Sequence, residues 1–263
     1  MSRYTPPMPL LTLNGVDFYY TDRGAPATPL VLLHAAAGTS DCWVEQVPAF
    51  TTAGYRLVTY DLRGFGRSAA PGRATESSIS EDLLGIAQKL ELPPFFLAGT
   101  AYGGFGALEF AVDYPEMLRG LVLSTSFGGL SDPEYTALRA AHVPPDLASW
   151  PTVEKELGKT YRAANPEGVA RFLEMEASGY RPDGARQSLR APLTLGRISK
   201  IKVPTLVIAG SEDVYAPPPV MQAIAEAIPN ARFEILAGAG HSAYWEQPTP
   251  WNGLLIDFFA NLK

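Results

Sequence analysis

The chain has 263 residues, 46% of them hydrophobic and 18% charged, with a formal net charge of -6 at pH 7. A chain of this length can bury a sizeable core, and open α/β folds of this size are commonly one core carrying an insertion. The acidic balance leaves no broad electropositive face, so neither nucleic acid nor an anionic membrane is an expected partner, and the single cysteine, Cys42, excludes an intramolecular disulfide framework and a thiolate metal cluster.

The stretch from Met1 to Pro9 has neither a sustained apolar core nor clustered positive charge, and no run of about 18 apolar residues occurs anywhere. The expectation is a cytoplasmic protein with no membrane span. Two β-rich runs, 10–13 and 16–21, are split by Asn14-Gly15 and read as a hairpin. Leu30-Val31-Leu32-Leu33-His34 is a continuous apolar run, short enough to be a strand buried on both faces of a parallel sheet. Ser40 and Asp41 then mark the start of a helix reaching to about Thr52, and 56–60 is the next buried strand. A loop with Gly64, Gly66, Pro71 and Gly72 leads to a helix over about 79–90. A strand, a sharp turn and a helix occupy 95–114, and 120–124 is a further strand. This alternation of strand and helix predicts an α/β, doubly wound sheet.

The rhythm breaks at about Ser131. As far as Lys200 no apolar strand run appears, while 134–141, 153–163 and 167–177 read as helices, with Asn165-Pro166 as a start signal. The core pattern resumes with the apolar run 204–210, a helix over 218–227, a strand over 231–236 and a last helix over 249–262. The predicted organisation is one core, residues 1–130 and 201–263, with a helical cap at 131–200 lying over the strand ends, where loops carry function.

At the centre of the chain Phe95-Phe96-Leu97-Ala98-Gly99-Thr100-Ala101-Tyr102-Gly103-Gly104 turns from an apolar run into a helix through glycines. It has the form of the G-x-S-x-G nucleophile elbow, in which a serine caps a buried strand on a strained turn and glycines two before and two after let backbones approach closely. Gly99 and Gly103 hold those places, and Ala101 holds the serine's. A methyl group cannot attack a carbonyl.

In the order of its motifs the chain resembles the α/β-hydrolase superfamily over nearly its whole length. His34-Ala35-Ala36-Ala37-Gly38 is similar to the family's His-Gly-x-x-Gly oxyanion loop, with alanine for the first glycine. Asp61-Leu62-Arg63-Gly64-Phe65-Gly66-Arg67-Ser68 is similar to its D-x-R-G-x-G-x-S turn. Gly210-Ser211-Glu212-Asp213 and Gly240-His241, with Glu246 and Pro248, follow the last two core strands. Nucleophile, acid, histidine is the family's chain order. The resemblance implies a mostly parallel eight-stranded sheet and a Ser-His-Asp mechanism on a small ester or lactone; no metal-ligand cluster or phosphate-binding glycine loop in the sequence points to a cofactor or metal.

Acyl transfer requires a base that removes the nucleophile's proton, a role suited to an imidazole titrating near neutrality. His241 is the candidate; His34 belongs to the oxyanion motif and is expected to be structural, and His142 falls in the insertion. Asp213 is the expected orienting acid, with Glu212 as its rival. By resemblance the oxyanion donors are the backbone N–H groups of Ala36 and Tyr102, aided by the helix opening at residue 101. Two readings of Ala101 stand: an enzyme disarmed by a serine-to-alanine change, or a natural protein that kept the fold without the nucleophile and serves as a lyase, a cofactor-free catalyst or a ligand receptor. The retention of His241, Asp213 and the oxyanion loop together favours the first.

Candidate substrate contacts are Ala35, Phe127 and Tyr244, from a wider aromatic set of Trp43, Trp150, Tyr161, Phe172, Tyr180 and Trp245 that serves equally to pack the cap on the core. Arg139, Arg162, Arg171, Arg181, Arg186 and Arg190 in the insertion suit a carboxylate-bearing substrate or, alternating with acids, a solvated helix surface. Nothing in the sequence fixes an oligomeric state.

Overall fold

A computed structural model describes residues 9–25, 27–73, 75–179 and 186–262. The readings made on 1–8, and those on Tyr180 and Arg181, lie outside the described residues. In chain order, β1 (Leu10–Leu13) and β2 (Val16–Arg23) form the hairpin, with Asn14 and Gly15 at φ of 51° and 73°, as a two-residue turn of this hand requires. β3 (Pro29–Leu33) is buried throughout, and α1 (Gln46–Thr52), β4 (Arg56–Tyr60) and α2 (Ile79–Lys89) follow. The start of α2 is a reciprocal cap: Ser78 Oγ accepts from Glu81 N and the Glu81 carboxylate accepts from Ser78 N. β5 (Phe95–Thr100), α3 (Ala101–Asp113) and β6 (Leu118–Ser124) complete the first half of the core.

Between β6 and the next core strand lie α4 (Pro133–His142), α5 (Thr152–Glu156), α6 (Lys159–Ala164), α7 (Pro166–Gly179) and the short α8 (Leu195–Ile198). Then come β7 (Thr205–Gly210), α9 (Pro218–Ala227), β8 (Arg232–Leu236), α10 (Ala243–Glu246) and α11 (Pro248–Ala260). The strands of the described residues form one sheet of eight in the order β1-β2-β4-β3-β5-β6-β7-β8; β1 with β2 and β2 with β4 pair antiparallel, the rest parallel.

Side-chain alternation sorts the sheet's two faces. Val31 and Leu33 pack with Leu83 of α2, Ala107 of α3 and Val220 of α9, whereas Leu30 and Leu32 pack with Phe50 of α1 and Trp251 and Leu255 of α11. With the central strands β3, β5, β6 and β7 buried on both faces, the carboxyl ends of these strands and of β8 all open at one edge, where a ligand crevice forms in such sheets.

Two expected helices are broken. The segment 40–52 is a single turn at Ser40–Trp43 followed by α1, because Pro48 has no N–H to bond back to Val44 and so cannot carry one continuous helix. The segment 153–163 splits into α5 and α6 at Gly158, whose N–H donates to the Glu246 carboxylate at 2.9 Å instead of continuing a helix. Gly158 lies flat against Gly240, so close that a Cβ on either would collide with the other's backbone. That contact ties the junction of α5 and α6 to the loop carrying His241.

Candidate active site

At the end of β5 the chain reverses through Ala101, held at φ 48° in the left-handed region. For a residue with a Cβ this conformation costs roughly 1–2 kcal/mol, and its surroundings enforce it. A Cβ at Gly99 would lie 2.7 Å from the Gly103 carbonyl oxygen, and one at Gly103 would run into the Leu33 carbonyl, so both glycines are fixed by close backbone approach. Ser126 Oγ donates to the Ala101 carbonyl at 2.5 Å and accepts from Gly128 N at 3.2 Å, pinning the turn to the loop after β6. Ala101 thus keeps the strained geometry of an elbow while carrying only a methyl.

Asp213 and His241 reach the same place from the ends of β7 and β8. His241 Nδ1 lies 2.9 Å from Asp213 Oδ2 and 3.0 Å from Oδ1. With Nδ1–H donated to the carboxylate, Nε2 is the free acceptor, on a ring that lines the cavity together with Ala101. Asp213 is itself oriented, accepting from Tyr215 N at 2.8 Å and Ala216 N at 3.0 Å through Oδ1. Burial alone would pull the imidazole pKa down; the Asp213 charge and hydrogen bond, with the fields of Glu156 and Glu246, outweigh it and hold His241 above its ordinary value. Glu212 faces away, accepting from Thr160 N and Oγ1 at 2.9 and 2.6 Å.

The loop after β3 brings Ala35 and Ala36 to the cavity wall. His34 organises it from behind: Nε2 accepts from Leu62 N at 2.8 Å, leaving Nδ1 to donate to the Ala35 carbonyl at 2.7 Å. Tyr102, in the first turn of α3, has no intrahelical acceptor for its N–H, and the Ala36 N–H takes no backbone partner among the described residues. Both residues line the cavity that Ala101 lines.

The cavity has a volume of about 500 Å³. Its walls mix aromatic side chains (Tyr102, Phe105, Phe127 and Tyr215) with the polar groups Arg139, Glu156, Arg186 and Gln187. Tyr215 tilts over the imidazole of His241 at a centroid distance of 4.7 Å. Phe127 lies on the wall.

Tyr244 does not line the cavity, and its assignment as a substrate contact is corrected. The turn after His241 rolls directly into α10, which carries Tyr244 to the opposite face of the sheet. There it is wholly buried, 4.7 Å from the ring of Trp43 and 6.4 Å from that of Trp251. Trp43 packs with it, and Phe172 joins Leu157 and Ala37 in a small cluster under the insertion, so both are packing residues. Asp61 closes a structural turn, accepting from Ser40 N, Ser40 Oγ and Arg67 N and pairing with Arg67 Nε at 3.0 Å, whereas Arg63 turns to Asp82.

Sequence reasoning missed Glu156, Gln187 and Tyr215. Glu156 ends α5 and is buried; among the described residues its carboxyl accepts only a long hydrogen bond from Ser242 Oγ, 3.4 Å away. Burial pushes its pKa up, as does Asp213, while His241 works the other way. The Gln187 side-chain amide donates to Ser77 O and Asp82 Oδ2, and its main-chain carbonyl accepts from the Tyr102 hydroxyl at 2.9 Å, so this segment closes over the elbow. Of these, Tyr215 alone had a signal in the sequence, its position two residues after the acid. Among the described residues no cluster of three His, Cys, Asp or Glu side chains is arranged to hold a metal ion, and no helix is long and apolar enough to cross a membrane.

A family model described as alpha/beta hydrolase fold matches residues 28–248. A Mycobacterium tuberculosis protein, BpoC, named as a candidate non-heme bromoperoxidase, is 30% identical over 265 residues, covering 94% of this chain and 99% of that one. A 2-hydroxy-6-oxononadienedioate/2-hydroxy-6-oxononatrienedioate hydrolase of Paraburkholderia phymatum is 30% identical over 261 residues, covering 92% of this chain and 90% of its own length. A thermophilic esterase from Thermogutta terrifontis, solved with malate bound, superposes with a TM-score of 0.81 at 25% identity over 97% of each chain.

Proposed function

Because the chain belongs to the alpha/beta hydrolase fold family, we propose that the cavity is a carboxylic ester or lactone hydrolase site of the Ser-His-Asp type, disarmed at the nucleophile by Ala101. The observation that carries the reading is the pairing of His241 Nδ1 with Asp213 at 2.9 Å on a cavity also lined by Ala101, whose backbone stays in the strained elbow conformation. In the armed form a hydroxyl at position 101 adds to the carbonyl carbon as its proton passes to His241 Nε2. Asp213 stabilises the imidazolium, and the N–H groups of Ala36 and Tyr102 stabilise the oxyanion. The imidazolium returns the proton to the leaving oxygen, and water then cleaves the acyl-enzyme by the same relay. In the present chain substrate binds and is polarised, and no acyl-enzyme forms. The intervening segment 131–200 acts as the cap, supplying Arg139, Glu156 and Gln187 to the wall.

A second reading, a natural non-serine catalyst, is favoured by Glu156. A buried carboxyl with a raised pKa beside His241 gives the cavity a base and an acid without a nucleophile, a pairing suited to proton-transfer or lyase chemistry. One experiment separates the two. Ala101→Ser is assayed on short aryl esters and lactones and labelled with a fluorophosphonate. Loss of the triad serine costs about 10⁶ in turnover in a serine protease, so the first reading expects a gain of that order, with labelling abolished by His241→Ala. A folded Ala101→Ser protein that neither labels nor hydrolyses, while the alanine form converts a ligand unaided, establishes the second.

A further inference from the structure

Arg139 carries a cation that the hydrolase chemistry leaves unused. On α4 its guanidinium stacks 4.0 Å from the centroid of Phe127, and Nε donates to the Tyr215 carbonyl at 3.2 Å. These two contacts fix the plane of the fork, while Nη1 and Nη2 take no hydrogen bond and the side chain forms no ion pair among the described residues. Three of the insertion's other arginines are engaged differently: Arg190 pairs with Glu81, Arg197 with Asp113, and Arg171 lies over Trp245.

Arg139 is only partly exposed, and burial draws its pKa below the ordinary arginine value, against the fields of Tyr135, Asp213 and Tyr215. A partly desolvated cation without a counter-charge is costly, and an incoming anion that accepts from both free nitrogens removes that cost. Arg186 enters the same cavity 5.6 Å from the Tyr102 ring centroid and likewise forms no ion pair among the described residues. Of the carboxylates nearby, Asp213 is held by His241, Tyr215 N and Ala216 N, and Glu156, with only a long contact to Ser242, forms no ion pair with either arginine among the described residues. A purely structural Arg139, serving only to clamp the Tyr215 loop, needs Nε alone and leaves two donors idle on the cavity wall.

We propose that Arg139, seconded by Arg186, binds a free carboxylate of the substrate, so that the site selects monoanionic esters or lactones whose second acid group docks against the Phe127 wall. This deepens the hydrolase reading and rests on it for the scissile bond, but the anion subsite is testable without turnover.

The test uses the unaltered chain and two probes of nearly equal shape, monomethyl adipate, an anion near neutral pH, and dimethyl adipate, which is neutral. Calorimetry or ligand-observed NMR is expected to show the monoanion binding about 10- to 100-fold tighter, the range for a charge-assisted pair in a partly desolvated site. Arg139→Gln should abolish that preference, Arg139→Lys should restore part of it, and Arg186→Gln should reduce it less. In the Ala101→Ser protein the same preference should appear in KM, with kcat little changed. Equal binding of the two probes to the unaltered chain overturns the proposal, as does a preference that survives in a folded Arg139→Gln protein. If Arg139→Gln does not fold, the probe ratio in the unaltered chain and in Arg139→Lys decides. Charge-selective binding with an Ala101→Ser protein that stays inactive retains the subsite and rejects the hydrolase reading.

Discussion

The loop after β3 and the loop after β8 each bury a histidine in the field of an aspartate, but the two are wired differently. Both ring nitrogens of His34 are committed, one accepting from Leu62 N and one donating to Ala35 O, and burial holds its pKa below the ordinary value. His241 commits only Nδ1, to Asp213, and its pKa lies above the ordinary value although it too is buried. The carboxylates that anchor the loops differ too. Asp61 is a buried anion drawn below its usual range despite that burial, because Arg67 and Ser40 bond it. Glu246 holds Gly240 N and Gly158 N without a cation, and burial pushes it up to about 7. Burial alone therefore does not decide what a histidine can do; what decides is whether a ring nitrogen is left over and whether a carboxylate rather than a backbone group holds the other.

The largest effect that breaks this contrast is expected from Asp213→Asn. An amide can donate to Nδ1 and turn the imidazole to the wrong tautomer, which in a serine protease lowers kcat by about 10⁴. In the Ala101→Ser background turnover should fall by that order while KM changes little. In the unaltered chain the pKa of His241, followed by NMR of the ring carbons, should fall and that of His34 should stay where it is. Turnover within a few-fold of the parent would show that Asp213 is not the orienting acid.

That contrast was only partly legible in the sequence. The strand runs were plain because buried parallel strands are continuously apolar, and the loops at their ends carry residues at fixed offsets, so Ala101, Asp213, His241, Ala35 and Ala36 could all be named. Phe127 could be placed because it directly follows a strand. Tyr244 looked equivalent, three residues past a strand-end histidine, but the chain coils into α10 there and helical rotation takes the ring to the far side of the sheet. Glu156 could not be found at all. Its position depends on the break at Gly158, and the break depends on a contact with Gly240, 82 residues away in the chain and invisible to any local period. Arg139 and Arg186 were visible as charges, but only the packed structure separates them from their solvated neighbours.

A smaller effect is expected in stability. Glu246 has a folded pKa of about 7 against an ordinary value of 4.5, so between those pH values the folded state binds a proton that the unfolded state releases. Its contribution is present below pH 4.5 and lost as pH rises to about 7, an upper limit of about 3 kcal/mol for a shift of this size. Asp61 works in the opposite sense: its folded pKa is lowered, so its contribution is present above the unfolded value and lost as pH falls into the acid range. Denaturant unfolding of Glu246→Gln across pH 4.5–7 should show a flatter stability profile than the parent, since a glutamine oxygen still accepts from both N–H groups. Parallel profiles for the two proteins would mean that Glu246 is ionised in the fold throughout.

The smallest effect, and the one that sharpens the comparison most, concerns Glu156. The groups acting on the His241 imidazole are Asp213, Glu156 and Glu246, with Tyr215 over the ring. Of the three carboxyls, Glu156 lines the cavity beside His241 and makes no short hydrogen bond of its own. Its negative form favours the imidazolium, so Glu156→Gln should lower the pKa of His241, and the two titrations in the parent should be coupled rather than independent. Ring-carbon NMR reads this directly, with His34 as an internal control that should not move because both its nitrogens are tied and Glu156 is not among the groups acting on it. Glu156→Asp, a shorter carboxylate, should fall between the parent and the glutamine variant. If His241 titrates identically in all three proteins, Glu156 exerts no field on the imidazole. It then contributes only bulk to the cavity wall, and the acid–base pair that favours a nucleophile-free catalyst is lost with it.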